Sequence, residues 1–333
     1  MSRHRTHTQA TKLLAILTVA LSLTACEQKE LCYTHPHHAQ ARIDVDWNKF
    51  TQEVPTGMTV MLYTPDGKAA RTLLSNNIST VSVPLLPDCY HALAFNQSTM
   101  EFGTLTFAHM EQRDEAAVYA NDMTSRWYVT RDGEERLVHN PEWIGEASQD
   151  SVWVEPWMAQ DGQEHLLATL QPRNIIYTIK VTVHLRNIYN LRAARASLDG
   201  MAHGYTFGTH SATSDVATQL LTEWTMERDK DNPANGIIVA EIHSFGLPAH
   251  HSAKPAANIL RLSLLLVDGQ TQLDHTFLVG DRFTHDSNSE LSLSIEERVD
   301  DALPDVKPED GQAGGFDATV DDWGEEEHYD IDM

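Results

Sequence analysis

Cys26 is the residue of this 333-residue chain whose type and position most directly indicate a chemical event. It closes the run Leu23-Thr24-Ala25-Cys26, which follows a basic amino-terminal segment and the apolar stretch from Leu13 to Leu23. At about 1.5 Å per residue in a helix, that stretch is too short to cross a hydrocarbon core of about 30 Å. The layout is instead that of an export signal with small residues at its cleavage point.

The ending Leu-Thr-Ala-Cys resembles the lipobox of bacterial lipoproteins. The resemblance implies that the Cys26 thiol takes a diacylglycerol, that the chain is cut just before it, and that the new amino terminus is acylated. Each buried CH2 contributes about 0.8 kcal/mol, so two or more acyl chains hold a protein firmly on a bilayer. The expected partner is therefore a membrane, contacted through this lipid. The alternative is an ordinary secretory signal whose cleavage site happens to contain a cysteine.

Three other positions are candidates for covalent modification. Cys32 and Cys89 could form a disulfide in an oxidising compartment or remain as two buried thiols, because spacing alone does not bring their Cβ atoms together. Asp150-Ser151-Val152 is similar to the Asp-Ser/Thr-apolar motif on which Bacteroidales attach O-glycans to exported proteins. Ser151 is therefore a candidate O-glycosylation site, although so short a pattern also arises by chance.

Patterns that would indicate catalysis are missing from the sequence. It contains no Gly-x-Ser-x-Gly, His-Glu-x-x-His, phosphate-binding glycine loop or Cys-x-x-Cys. The histidines of His35-Pro36-His37-His38 and His250-His251 have the chemistry of zinc or copper ligands, but their spacing is not that of a site fixed by a helix or hairpin. We expect no enzyme activity, no metal and no cofactor.

The charge balance excludes one class of partner. With 24 basic and 48 acidic residues the formal net charge is −24, which argues against nucleic acid and against electrostatic docking on anionic lipid. Residues 300–333 hold thirteen of the acidic residues and a single lysine, and their composition predicts an acidic, extended tail. Phe316, Val320 and Trp323 in this tail could dock on a partner or on the body of the chain.

A periodicity of two dominates the rest of the chain and predicts strands. The strongest strand prediction covers Ile175 to Leu185, Arg126 to Thr130 is a short candidate, and only Val216 to Trp224 weakly suggests a helix. Many short strands with frequent turn residues predict an all-β protein of sandwich type. The stretch from Asn140 to Gly162, rich in Trp, Pro, Gly and acids, is expected to join two sandwiches.

These elements predict a five-part organisation. The expected parts are a lipoprotein signal peptide (1–25), a tether (26–40), an N-terminal β-sandwich (41–163), a C-terminal β-sandwich (164–299) and the acidic tail (300–333).

Several motifs also carry a family resemblance. They are Glu30-Leu31-Cys32-Tyr33-Thr34-His35-Pro36-His37, Asp46-Trp47, Pro55-Thr56-Gly57-Met58, Phe245-Gly246-Leu247-Pro248 with Asn258-Ile259-Leu260, and Gly314-Gly315-Phe316 with Val320-Asp321-Asp322-Trp323. Together they resemble the DUF5119 family of Bacteroides-type lipoproteins.

That family is similar in layout to the fimbrillin-associated anchor and minor-subunit proteins of the FimB-like group. The resemblance implies two tandem transthyretin-like β-sandwiches, an outer-membrane location on the cell surface, and fimbrial subunits as partners that pair by strand addition. Of the family's residues only Cys26 carries over, as the acylated position. The first functional hypothesis is therefore a fimbria-associated anchor or minor structural component.

Within that hypothesis, an anchor and a polymerising subunit differ at the amino terminus. An anchor should keep its lipid, whereas a polymerising subunit should lose its N-terminal segment to a trypsin-like protease. Arg42, just before the first predicted strand, is a candidate cut site.

The alternative hypothesis is a surface lipoprotein that binds glycan or protein and is unrelated to pili. Trp127, Trp143, Trp153 and Trp157 are four of the seven tryptophans and could stack on sugars. They could equally fill a core or an interdomain contact.

Overall fold

A computed structural model of the chain describes residues 37–130, 135–286 and 289–308. The chain divides into two compact units, Met1–His38 and Ala39–Met333, and every strand described below belongs to the second unit. Among the described residues, no helix combines the length and the apolar character needed to cross a bilayer. The predictions for Cys26, for Cys32 and for the tail beyond residue 308 concern positions outside these ranges.

Nearly all of the regular structure is β, as the alternating sequence pattern predicts. The first half of the chain contains β1 (Ala39–Val45), the 3-10 helix η1 (Trp47–Lys49), β2 (Met58–Tyr63), β3 (Ala69–Ser75), β4 (Thr80–Leu85), β5 (Cys89–Phe95), β6 (Leu105–Ala108), β7 (Ala117–Ala120), β8 (Gly145–Trp153), η2 (Pro156–Ala159), β9 (Glu164–Leu170) and β10 (Arg173–Asn174).

The second half begins with the longest strands. It contains β11 (Tyr177–Arg186), η3 (Ile188–Asn190), β12 (Leu191–Ala202), β13 (Gly204–Thr206), β14 (Ser211–Ala212), β15 (Val216–Leu221), β16 (Thr225–Arg228), β17 (Asn235–Ser244), η4 (Pro255–Ala257), β18 (Ile259–Leu266), β19 (Gln272–Leu278), β20 (Thr284–Asp286) and β21 (Ser289–Arg298).

The first sandwich packs a three-stranded sheet, ordered β4-β1-β9, on a five-stranded sheet, ordered β10-β8-β5-β2-β3. β1 is the central strand of the smaller sheet, antiparallel to β4 and parallel to β9. Its alternate residues Ala39, Ala41, Ile43 and Val45 are buried in the core between the two sheets. Burial of this alternating face is what fixes the register of the strand.

Strand pairing assigns more of the chain to the first sandwich than the predicted boundary at residue 163. β9 begins at Glu164 but pairs with β1, and β10 pairs with β8. The stretch from Asn140 to Gly162, expected to join the sandwiches, instead contains β8, an interior strand of the five-stranded sheet. Its mixed composition arises because β8 exposes the polar residues Ser148, Asp150 and Ser151 and is followed by the turn-rich segment around η2.

The second sandwich packs a sheet ordered β16-β17-β11-β21-β20 on one ordered β15-β12-β18-β19. β11 is the central strand of the first of these, and Ile179, Val181 and Val183 are fully buried, so the strongest strand prediction is confirmed. The weak helix prediction for Val216 to Trp224 is wrong. Residues 216–221 form β15, which pairs with β12, and the four-residue spacing of apolar residues there is coincidental.

Residues 300–308, predicted as the start of the tail, pack on the second sandwich. Leu303 is buried in its core, and Val306 packs against that core. The Asp305 carboxylate accepts hydrogen bonds from the Tyr189 hydroxyl (3.0 Å) and from the Asn190 amide (3.1 Å).

A fifth sheet, of four strands, connects the two sandwiches. In its order β14-β13-β7-β6, two strands come from each half of the chain, and β13 pairs directly with β7. This sheet covers the outer face of the five-stranded sheet of the first sandwich. Between them, Phe95, Phe207 and Phe245 are buried in one cluster, which we call the shared cluster. The predicted all-β sandwich fold is therefore confirmed, and the two sandwiches, each with its own core, are joined by this shared sheet and the shared cluster.

Candidate functional site

One end of the first sandwich is where the chain enters the folded body. At this end β1 begins opposite the last residue of β4, with Ala39 paired to Leu85, and β9 begins opposite Gln40. In the facing sheet β5 begins where β8 finishes, with Cys89 paired to Trp153. We call this the anchor end, because the segment that leads from Cys26 joins the body here.

The anchor end carries several large apolar side chains in solvent. Leu86 lies in the β4–β5 turn, Trp153 at the end of β8, Trp157 in η2 and Leu166 near the start of β9, with exposed fractions of 39%, 60%, 54% and 50%. The Trp157 ring lies 5.0 Å from the His165 ring, edge to face. Trp153 and Trp157 are therefore surface residues rather than core or interdomain filler.

Arg42, the candidate protease site, lies inside β1 rather than before it. Its backbone is paired with Ser82 on one side and Leu166 on the other. Its guanidinium lies 3.2 Å from the Asp44 carboxylate and 3.8 Å from that of Glu164. A protease needs an extended, accessible backbone, and this placement corrects the expectation that Arg42 lies just before the first strand.

The candidate modification sites lie on the first sandwich. Cys89 is half-buried at the start of β5, and its predicted partner Cys32 lies outside the described residues, so the disulfide stays a prediction. Ser151 is exposed on β8, at a register shift between β5 and β8. β10 pairs with β8 only near Gly145 and Glu146, so that side of β8 carries no strand at Ser151 within the described residues.

A loop with Trp127 covers the outer face of one sheet of the second sandwich. Residues 126–130, a candidate strand, are irregular, because they lie across the polar side chains of β12 and β18 instead of pairing. The Arg195 guanidinium lies 4.7 Å from the centre of the Trp127 ring. Trp127 separates two clefts of about 400 and 320 Å³, one lined by Asn140 and Thr222, the other by Arg261 and Asp274.

Trp143 differs from the other three candidate tryptophans. It packs against the shared cluster, and its ring lies 3.9 Å from that of His243. Desolvation lowers the pKa of this histidine. Trp143 therefore belongs to the contact between the two sandwiches.

A serine, a histidine and a glutamate lie close together between β8 and the β13–β14 turn, where Ser148 and His210 are exposed and only Glu146 is buried. The Ser148 hydroxyl lies 3.2 Å from Nε2 of His210, and Nδ1 of His210 lies 3.7 Å from the Glu146 carboxylate. Burial raises the pKa of Glu146 to about 7, so this carboxyl is only partly ionised near neutral pH. Neither cleft at Trp127 is lined by these residues.

The described residues contain no cluster of His, Cys, Asp or Glu that could hold a metal ion. Nε2 of His251, from the pair His250-His251, donates a hydrogen bond to Oδ1 of Asn258 at 2.7 Å, so this histidine has a structural contact.

Open strand edges are the feature that strand addition would need. β3 and β19 are the last strands of their sheets, each paired on one side only among the described strands. Leu74 on β3 and Leu278 on β19 are 64% and 44% exposed. Both edges offer unpaired main-chain groups beside an apolar side chain.

Comparison with known protein families shows which family this chain belongs to. Residues 25–222 match the family described as domain of unknown function DUF5119. The chain belongs to the DUF5119 family. The predicted resemblance is thus confirmed, and the match covers the first sandwich, the shared sheet and the beginning of the second sandwich.

Similar proteins extend beyond the segment that matches DUF5119. Fim4B of Bacteroides ovatus, provisionally named a fimbrium anchoring subunit, is 20% identical over 96% of this chain and 97% of its own. A crystal structure from the same species, provisionally described as an adhesin, aligns with a TM-score of 0.55 and 14% identity over 84% of this chain and 99% of that one. This structural likeness establishes the fold of the DUF5119 chain.

The fimbrial anchor protein Mfa2 from Porphyromonas gingivalis aligns over 68% of this chain and 78% of its own, at 13% identity. Its TM-score of 0.44 is too low to establish a shared fold.

Proposed function

We propose that this DUF5119 protein is an outer-membrane lipoprotein of the cell surface that anchors a fimbria or forms a minor part of it. The observation that carries the proposal is the similarity to Fim4B along nearly the whole length of both chains. The two-sandwich fold and the export signal ending in Cys26 support it. No catalytic step is part of this function.

The position of β1 favours an anchor over a subunit processed at Arg42. Cutting after Arg42 would remove Ala39 and Ala41, two of the four core residues of the strand at the centre of its sheet. It would leave β4 and β9 without most of the strand between them. A protein that keeps this segment keeps the covalent connection from Cys26 to the folded body.

Fimbrial subunits are the proposed partners, and the open edges of β3 and β19 are the proposed places of strand addition. An added strand would form main-chain hydrogen bonds along the edge, and its alternate side chains would pack beside Leu74 or Leu278.

Mass spectrometry of the native mature protein tests the anchor. The expected amino-terminal peptide begins at Cys26 and carries acyl chains, and Cys26→Ser is expected to release the protein from the envelope fraction after carbonate washing. Cys89→Ser is the matched control, because it removes a thiol without touching the signal. A mature chain that starts beyond Arg42, or a serine variant that stays with the envelope, would contradict the proposal.

A second candidate function, glycan binding at the cell surface, is favoured by one observation. Trp127 lies between two clefts whose polar groups, including Asn140, Arg261 and Asp274, can hydrogen-bond to hydroxyl groups. An aromatic ring beside such groups suits a sugar, which has apolar C–H faces and polar edges.

A glycan array tests this candidate. Trp127→Ala is expected to lower any glycan signal at least about tenfold, the effect of losing roughly 1.4 kcal/mol of contact. Trp157→Ala, which removes an exposed ring at the anchor end of the first sandwich, should leave the glycan signal unchanged. No glycan signal from the unmodified protein, or equal loss in both variants, removes this candidate.

A further inference from the structure

The anchor end holds an unexplained concentration of exposed apolar side chains. Trp153 and Trp157 are more than half exposed, and Leu86 and Leu166 lie in neighbouring segments at the same end. Isolated apolar residues are ordinary on a protein surface, but several at one end of a domain indicate a contact surface.

The strand order brings these residues together from distant parts of the sequence. Leu86 lies in the turn that leads from β4 to β5, and the Leu86 carbonyl accepts a hydrogen bond from Tyr90 (3.1 Å). Trp153 pairs with Cys89 just beyond this turn. Trp157 follows in η2, which packs against β1 and leads into β9.

The length of the chain between Cys26 and β1 limits how far this surface can lie from a bilayer. Only twelve residues separate Cys26 from Ala39. Fully extended, they span at most about 43 Å, so a lipid on Cys26 keeps this end of the sandwich close to the bilayer. Because the tether joins the body at the start of β1, the anchor end is the part of the first sandwich that is attached nearest to the bilayer.

We infer that the anchor end is a bilayer-contact surface, in which Trp153 and Trp157 lie at the level of the lipid headgroups. This inference rests on the proposed acylation of Cys26. Tryptophan suits the membrane interface because its ring is apolar while its indole N–H keeps a polar partner. Leu86 and Leu166 are further exposed apolar side chains at the same end.

The charges at the anchor end decide which lipids fit. Asp88, Glu155, Asp161 and Glu164 are all exposed there, whereas the Arg42 guanidinium lies close to Asp44 and Glu164. An acidic rim is repelled by anionic headgroups, and salt screens that repulsion. The surface therefore favours zwitterionic lipid and contacts anionic lipid only at high ionic strength.

The test uses the full-length lipoprotein, purified from membranes and reconstituted into phosphatidylcholine vesicles. Flotation of the vesicles reports whether the lipid anchor holds. Tryptophan fluorescence is then measured with acyl chains brominated near the headgroup or near the chain end. We expect quenching that is stronger with the shallow bromines and that falls in phosphatidylglycerol vesicles at low salt.

The double variant Trp153→Phe, Trp157→Phe is expected to float as before but to lose most of the quenching. Trp127→Phe is the matched control, since it removes a ring from the second sandwich and should leave the quenching unchanged. Flotation without quenching, or equal quenching in the double variant, overturns the contact surface alone and leaves the anchor intact. A protein that does not float overturns the anchor, and the contact surface with it.

Discussion

Phe207→Ala is expected to lower the free energy of unfolding by about 3–5 kcal/mol and to split one cooperative transition into two. Phe207 follows β13, in the second half of the chain, but its ring packs against rings from the first half. The distance between ring centroids is 4.8 Å to Phe95 and 6.1 Å to Phe107. Its side chain is 3% exposed, so truncation leaves a cavity inside the shared cluster.

The expected splitting follows from where the cavity forms. The sandwiches have separate cores, and the shared cluster with the sheet containing β7 and β13 is what joins them. Weakening that connection lets one sandwich unfold before the other.

Differential scanning calorimetry measures both effects. Leu262→Ala is the matched control, because Leu262 is equally buried but belongs only to the core of the second sandwich. It should lower stability by about 2–5 kcal/mol while weakening only that sandwich directly. A single transition in Phe207→Ala, as cooperative as in the unmodified protein, would show that the shared cluster does not couple the sandwiches.

Glu146→Gln is expected to stabilise the protein at pH 8 by up to about 3 kcal/mol and to change little at pH 5. Desolvation raises the pKa of Glu146 from 4.5 to about 7, an effect that the Ser148 hydrogen bond only partly offsets. Between these two values the unfolded chain loses this proton while the folded chain keeps it. Stability therefore falls as pH rises through this window, and the fall levels off above about pH 7.

The groups around Glu146 explain why the burial is not compensated. The His210 imidazole lies 3.7 Å away, and Arg173, which is opposite on β10, has an exposed side chain. Among the described residues, one Glu146 carboxylate oxygen is buried without a hydrogen-bond partner. The amide of glutamine has nearly the same shape and removes the cost of burying the charge.

Urea unfolding at pH 5 and pH 8 measures this difference. Glu164→Gln, an exposed glutamate on β9, serves as the control and should change stability by less than about 0.5 kcal/mol at either pH. If Glu146→Gln is no more stable than the unmodified protein at pH 8, the carboxyl is not buried as described.

Local patterns predicted the strands whose two faces differ in burial. The alternation of Ile179, Val181 and Val183 with polar residues is visible in the sequence, because a half-buried strand must alternate. The same logic failed at Val216 to Trp224, where residues 217–221 are buried on both faces and no alternation remains. Burial on both faces depends on neighbours that a local window does not contain.

The site features that the sequence did not reveal all depend on long-range pairing. β9 joins the first sandwich through its pairing with β1, about 125 residues earlier, and nothing in residues 164–170 indicates that partner. The shared cluster likewise combines Phe95 with Phe207 and Phe245. The motif Phe245-Gly246-Leu247-Pro248 was a usable signal, since Gly246 has φ +84° and lies against the Tyr177 ring, where a side chain would clash.

The parallel pairing of β1 with β9 has a mechanical consequence. The amino end of β1 is the proposed point of attachment, and the carboxyl end of β9, at the opposite end of the sheet, leads on toward the second sandwich. Tension between those two points slides one strand lengthwise past the other, so every bond of the ladder bears load together. If antiparallel neighbours were pulled apart from one shared end, their hydrogen bonds would break one after another.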